Sequence, residues 1–108
     1  MIDNVTELSD AAFDELVHSA DVPVLVDFWA PWSESCIIME AIVQEIADAY
    51  AGRIKICKLN TEEARDTVIE FGLEGVPTAI LFKDGHIQKR WVGLTSKKDL
   101  IEAIEQLL

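Results

Sequence analysis

Val22-Pro23-Val24-Leu25-Val26-Asp27-Phe28-Trp29 runs directly into Ala30-Pro31-Trp32-Ser33-Glu34-Ser35-Cys36, and this stretch, VPVLVDFWAPWSESC over 22–36, decides the fold. Its first half is too continuously apolar for a half-exposed strand, which would alternate, and predicts a strand buried on both faces. Asp27 carries a carboxylate into that apolar layer, where its charged form is penalised, so its pKa is expected to rise. The second half ends on Ser33, a residue type favoured at helix N-caps, which puts Cys36 at the third position of the helix that follows. From Ser33 to Tyr50 the positions Ile38, Ile42, Val43, Ile46 and Tyr50 keep a helical period, and Gly52 marks the end.

On the N-terminal side, Phe13, Leu16 and Val17 follow Ser9 and Asp10 as candidate caps and predict an amphipathic helix, with a short strand before it at Asn4 to Leu8. On the C-terminal side, Ile54 to Leu59 predicts a strand. Thr61 then opens a short helix with Ala64, Val68 and Phe71 facing inward, stopped by Gly72. Pro77 to Phe82 predicts another strand, and Asp84-Gly85 is a hairpin signal joining it to the strand His86 to Val92. Ser96 and Asp99 form a capping box before Leu100, Ile101, Ile104 and Leu107. Alternating strands and helices that close on a hairpin and a last helix imply an α/β fold, a central mixed sheet with helices on both faces. Neither a repeat nor a linker divides the chain, so one domain over 1–108 is expected.

The 108 residues are half hydrophobic, enough to bury a core without metal or disulfide staples. No apolar run approaches the roughly 18 residues of a membrane span, and Met1-Ile2-Asp3-Asn4 lacks the features of a secretory signal. A cytoplasmic protein is expected, or a mature form with its targeting segment removed. Nine Lys plus Arg against twenty Asp plus Glu give a formal charge of −11, which disfavours nucleic acid and anionic lipid as partners. Two cysteines, Cys36 and Cys57, and two scattered histidines, His18 and His86, make neither a disulfide framework nor a metal-ligand cluster, so no metal is expected. Cys57, between Ile56 and Lys58 in a strand, reads as a small core residue.

The stretch Trp29 to Cys36 resembles the thioredoxin active site W-C-G-P-C. Further matches follow in order: Asp27, Lys58-Leu59-Asn60, Gly75-Val76-Pro77-Thr78, Phe82-Lys83-Asp84-Gly85 and Val92-Gly93. Together they cover nearly the whole chain, and the chain is identified as a member of the thioredoxin family. The resemblance implies the thioredoxin fold and a protein-disulfide oxidoreductase needing no bound cofactor. Its partners would be protein disulfides and a flavin- or ferredoxin-dependent reductase, and it would act as a monomer. It also implies roles: Ser33 stands where the nucleophilic cysteine belongs, and Cys36 matches the resolving cysteine. Asp27 matches the proton-transferring acid with Lys58 near it. Trp32, Val76, Pro77, Val92 and Gly93 would rim an apolar docking patch. A cis Val76-Pro77 bond is likewise implied by the resemblance, since cis is a minority state for X-Pro bonds in general.

A thiol at a helix N-terminus becomes a thiolate near neutral pH and attacks a substrate disulfide, and a second thiol then resolves the mixed disulfide. A serine hydroxyl does neither, so the two-sulfur cycle is closed to the chain as written. Ser33 reads either as an engineered change in a working W-C-E-S-C protein or as a natural relative that has lost dithiol chemistry, and the sequence leaves both open. Two other functions stay beside the first: a non-catalytic binding module using the docking patch, and a one-cysteine redox sensor through Cys36. Glu34 and Glu40 are expected to oppose thiolate formation at Cys36. Glu34-Ser35 stands in place of Gly-Pro, Ile37 in place of a frequent positive charge, and Ala41 in place of a kinking proline. Trp29 reads as a packing residue, and Trp91 as either packing or surface.

Overall fold

The computed structural model describes residues 4–108; the N-terminal Met1 to Asp3, read above as part of a segment without a secretory signal, lie outside the described residues. The strands are β1 (Val5–Leu8), β2 (Val24–Trp29), β3 (Lys55–Asn60), β4 (Thr78–Lys83) and β5 (His86–Val92), and the helices are α1 (Asp10–Ser19), α2 (Glu34–Ala49), α3 (Arg65–Phe71) and α4 (Lys97–Glu105). They form one mixed five-stranded sheet in the order β1-β3-β2-β4-β5, with β1, β3 and β2 parallel and β4 and β5 antiparallel to their neighbours. This is the α/β thioredoxin fold.

The continuous apolar run of β2 follows from its place: it lies between β3 and β4, and Val24 through Phe28 are all buried. Alternate residues serve opposite faces. Leu25, with Ile56, Ala79 and Leu81 of neighbouring strands, packs against Met39, Val43 and Ile46 of α2 and Leu100 and Ile104 of α4. Val24, Val26 and Phe28, with Cys57, Leu59, Ile80 and Phe82, pack on the other face against Phe13 and Val17 of α1. Burying each such large side chain contributes roughly 1.5–3 kcal/mol before entropy is charged. Asp84 and Gly85 both adopt positive φ, the backbone that a two-residue hairpin turn requires, and a Cβ at Gly85 would run into the His18 ring.

Several boundaries and faces differ from the sequence reading. The buried face of α2 is Cys36, Met39, Val43, Ile46 and Ala47; Ile38, expected inward, is exposed, and Ile42 and Tyr50 are half-buried. Three apolar residues in a row, Ile37 to Met39, leave the helix phase ambiguous from sequence, and the cap at Ser33 sets it. The helix α3 begins at Arg65, not at Thr61, whose hydroxyl instead donates to the Trp29 carbonyl at 3.0 Å. Its buried positions are Ala64 and Thr67, with Val68 and Phe71 half-buried. No side chain of its own caps that helix. Asp10 does so from α1: its carboxylate accepts hydrogen bonds from the Asp66 and Thr67 amides at 3.2 and 3.0 Å and from the Thr67 hydroxyl at 2.6 Å. The helix α1 is capped by Ser9, whose hydroxyl accepts from the Ala12 amide at 3.3 Å. Among the described residues no helix is long and apolar enough to cross a membrane.

Candidate functional site

The carboxyl end of β2 and the amino end of α2 meet at the loop Ala30 to Ser33. The Ser33 amide donates to the Ala30 carbonyl at 3.2 Å, closing the turn, and the Ser33 hydroxyl accepts from the Cys36 amide at 3.3 Å as the cap of α2. Ser33 is nearly buried and Cys36 fully so, at 9 % and 3 % exposure. Trp32, one residue earlier, is 70 % exposed. Trp29 is held by its carbonyl, which accepts from the Thr61 amide at 2.8 Å and from the Thr61 hydroxyl, so the start of the β3–α3 connection is tied to the end of β2.

Phe28 pairs with Thr78, and since β2 and β4 are antiparallel, the Ala30–Ser33 loop and Pro77 lie at the same end of adjacent strands. The Val76-Pro77 peptide is cis. The Thr78 hydroxyl donates to the Gly75 carbonyl at 2.6 Å, and the Gly93 amide donates to the Pro77 carbonyl at 2.7 Å. Thr78 also pairs with Val92. Val76, Pro77, Val92 and Gly93 are therefore one local assembly, in which Pro77 is buried, Val76 and Gly93 are half-buried and Val92 is 68 % exposed.

Asp27 sits three residues before the loop on the α2 side of the sheet, only 1 % exposed, and its Oδ1 has no hydrogen-bond partner among the described residues. Burial pushes its carboxyl up to about 7; the Glu40 and Glu7 carboxylates add to the rise and the Lys58 ammonium opposes it. Lys58 stands beside Asp27 in the parallel register of β2 and β3, and Glu7 stands beside Lys58 in that of β1 and β3. The Lys58 ammonium nevertheless makes its ion pair with Glu40 of α2, at 3.6 Å, and lies 5.8 Å from the centre of the Trp29 ring. Glu7 is raised too, chiefly by partial burial, with Lys58 opposing and Glu63 and Glu40 assisting.

The structure thus brings Ser33 and Cys36 together at the start of α2, and Val76, Pro77, Val92 and Gly93 together at the neighbouring strand ends. Lys58 is adjacent to Asp27 in register, yet its charge is turned to Glu40. Sequence reading missed Glu7 and the place of Glu40. The only signal for Glu40 was its position one helical turn beyond Cys36, and nothing local pointed to Glu7. Cys57 lies in the core of the opposite face, and burial pushes its thiol up to about 11, as suits a packing residue. Both cysteines are free thiols. Trp91 packs half-buried against the α2/α4 core, with the Lys89 ammonium over its ring at 5.5 Å; the Trp29 indole nitrogen is buried without a hydrogen-bond partner among the described residues.

Residues 4–106 match the thioredoxin family model. The chain is 42% identical over 100 residues to a thioredoxin of Pseudomonas aeruginosa, covering 93% of each chain. It is 40% identical over 102 residues to a thioredoxin of Synechocystis, covering 94% of this chain and 95% of the other. To the chloroplastic M-type thioredoxin of Pisum sativum it is 39% identical over 107 residues, which are 99% of this chain and 62% of that longer one.

Proposed function

The chain belongs to the thioredoxin family of redox proteins, and from that premise we propose that it is a one-domain protein-disulfide oxidoreductase scaffold whose nucleophile position is filled by Ser33. The observation that carries the reading is the cap of α2. The Ser33 hydroxyl occupies the helix N-terminus, where unpaired amides and the helix dipole favour an anion, and it is satisfied there by the Cys36 amide. A cysteine at that place would be favoured as a thiolate. It would attack a substrate disulfide, form the mixed disulfide and expel one substrate thiolate; Cys36 would then attack the sulfur of residue 33 and release the second. Asp27, whose carboxyl is raised to about 7 and so is populated in both forms near neutral pH, would exchange the proton of the Cys36 thiol. With serine at 33 the first bond does not form, and Cys36, buried and without a sulfur at position 33, is left with no turnover to complete.

The exposed Trp32 and Val92, beside the cis Val76-Pro77 segment, supply the apolar surface on which an extended substrate segment docks. That surface is intact, and it favours a second reading, a binding module that holds a partner without reducing it. Within the first reading the partners are protein disulfides and a flavin- or ferredoxin-dependent reductase, met by a cytoplasmic monomer.

The test is the rate of reduction of an insulin-type disulfide with added reductant, for this chain and for Ser33→Cys. Background turnover for the chain and clear turnover for Ser33→Cys are expected. Turnover by the unaltered chain would overturn the role given to Ser33, and a folded but inactive Ser33→Cys would transfer the lead to the binding module.

A further inference from the structure

Three parallel strands carry Glu7, Lys58 and Asp27 in one row on the sheet face that α2 covers, and α2 adds Glu40 above it. One ammonium therefore faces three carboxyls. Asp27 stands directly beside Lys58 in register, as Glu7 does on the other side, but it is 1 % exposed, and an ion pair there would require both charges to leave water. The Glu40 side chain is 60% exposed and remains ionised at little cost, so it is the cheaper partner, and the Trp29 ring beneath the Lys58 ammonium favours the same position. The result is visible in the pairing: the Lys58 ammonium forms an ion pair with Glu40 at 3.6 Å, and Oδ1 of Asp27 has no hydrogen-bond partner among the described residues.

We propose that Glu40 is a positioning residue, holding the Lys58 ammonium on the α2 side of this row and withholding it from Asp27. The purpose of that hold rests on the reading of Asp27 as a proton-exchanging acid, since a lysine paired to Asp27 would fix it as a carboxylate. The hold itself does not depend on that reading. The groups facing Asp27 are Lys58 from β3, Glu7 from β1, itself influenced by Glu63, and Glu40 from α2; the neighbour on β4 is the uncharged Ala79.

The experiment is a carbon-13 NMR titration of the Asp27 carboxyl in the full chain and in Glu40→Gln, with amide spectra confirming that both are folded. Freed from Glu40, Lys58 turns to Asp27, and the Asp27 midpoint is expected to fall by about one pH unit or more. The same Glu40→Gln change in a Lys58→Met background separates the hold from the direct influence of the Glu40 charge, and there the midpoint is expected to move by less than half as much. Glu40→Asp, which keeps the anion, is expected to retain most of the original midpoint. An unmoved midpoint in Glu40→Gln, or an equal fall with Lys58 removed, overturns the proposal. Neither measurement involves disulfide turnover, so the proposal and the oxidoreductase reading fail separately.

Discussion

The two faces of the sheet share the same strands and treat buried polarity in opposite ways. Under α1 and α3 the layer is apolar: Phe13, Phe28, Phe71 and Phe82 meet tilted or edge-on, with the centres of the contacting rings 5.3 to 6.3 Å apart, in one cluster with Cys57, Leu59 and Ile80. A carboxylate at the rim of that layer, Asp10, accepts three hydrogen bonds. Under α2 and α4 the layer is built around Leu25, Met39, Ile46 and Leu81, yet at its site end it contains a buried aspartic acid whose Oδ1 has no hydrogen-bond partner among the described residues. Packing energy is gathered on the first face. On the second, some of it is spent to keep a titratable group close to the amino end of α2, which is the face where chemistry is proposed.

The sharpest way to break this contrast is to remove an aromatic from the first face. Phe28→Ala deletes a ring with no exposure that meets both Phe13 and Phe71, and the expected loss is about 3–5 kcal/mol. Urea unfolding should give the same loss at pH 5 and pH 8, because nothing ionisable is uncovered. A loss below about 1 kcal/mol, or one that depends on pH, would show that the two faces are not energetically distinct.

The second face should behave in the opposite manner. The Asp27 carboxyl is raised from 3.8 to about 7, so below about pH 4 it is neutral in both folded and unfolded chains and costs nothing. As pH rises the unfolded chain ionises first, so the stability present at low pH is lost progressively between about 4 and 7 and stays lost above. Asp27→Asn removes that dependence. Relative to the parent it should gain roughly 4 kcal/mol between pH 4 and pH 8, from a shift of about three units at about 1.4 kcal/mol each. Parallel stability curves for parent and variant would mean that Asp27 ionises freely in the fold.

How much of this was legible in the sequence divides along the same lines. The buried strand β2, the Ser33 cap, the hairpin at Asp84-Gly85 and the Ser96 cap are local features, and each lies within a residue or two of its expected place. The rise in the Asp27 pKa was legible because one acidic residue among five apolar neighbours has few alternatives. The inward face of α2 was not, since its phase depends on which of Ile37, Ile38 and Met39 meets the sheet. Nor was the choice of Lys58 between Asp27 and Glu40, because it needs the register of three strands and the height of a helix above them. The start of α3 was misplaced for a related reason: its cap is supplied from α1, far away in the chain.

That distant cap gives the smallest expected effect and a finer version of the contrast. The Asp10 carboxylate is held below its ordinary 3.8, chiefly by the Thr67 hydroxyl hydrogen bond and further by the Thr67 and Asp66 amides, with slight burial opposing. A lowered folded pKa contributes stability that is complete above the unfolded value and is lost as pH falls through the folded one, the reverse of Asp27. Asp10→Ala should therefore be less stable than the parent at pH 6, with the gap closing below about pH 4, and the Asp66 and Thr67 amides should exchange with solvent faster while those of β2 keep their protection. Because Asp10 is at the surface, solvent screens its charge and the gap should be well below that of Asp27→Asn. A gap of constant size from pH 3 to pH 7 would mean that α1 and α3 are joined by packing alone, and the two aspartates would no longer be opposite solutions to holding a carboxyl against the sheet.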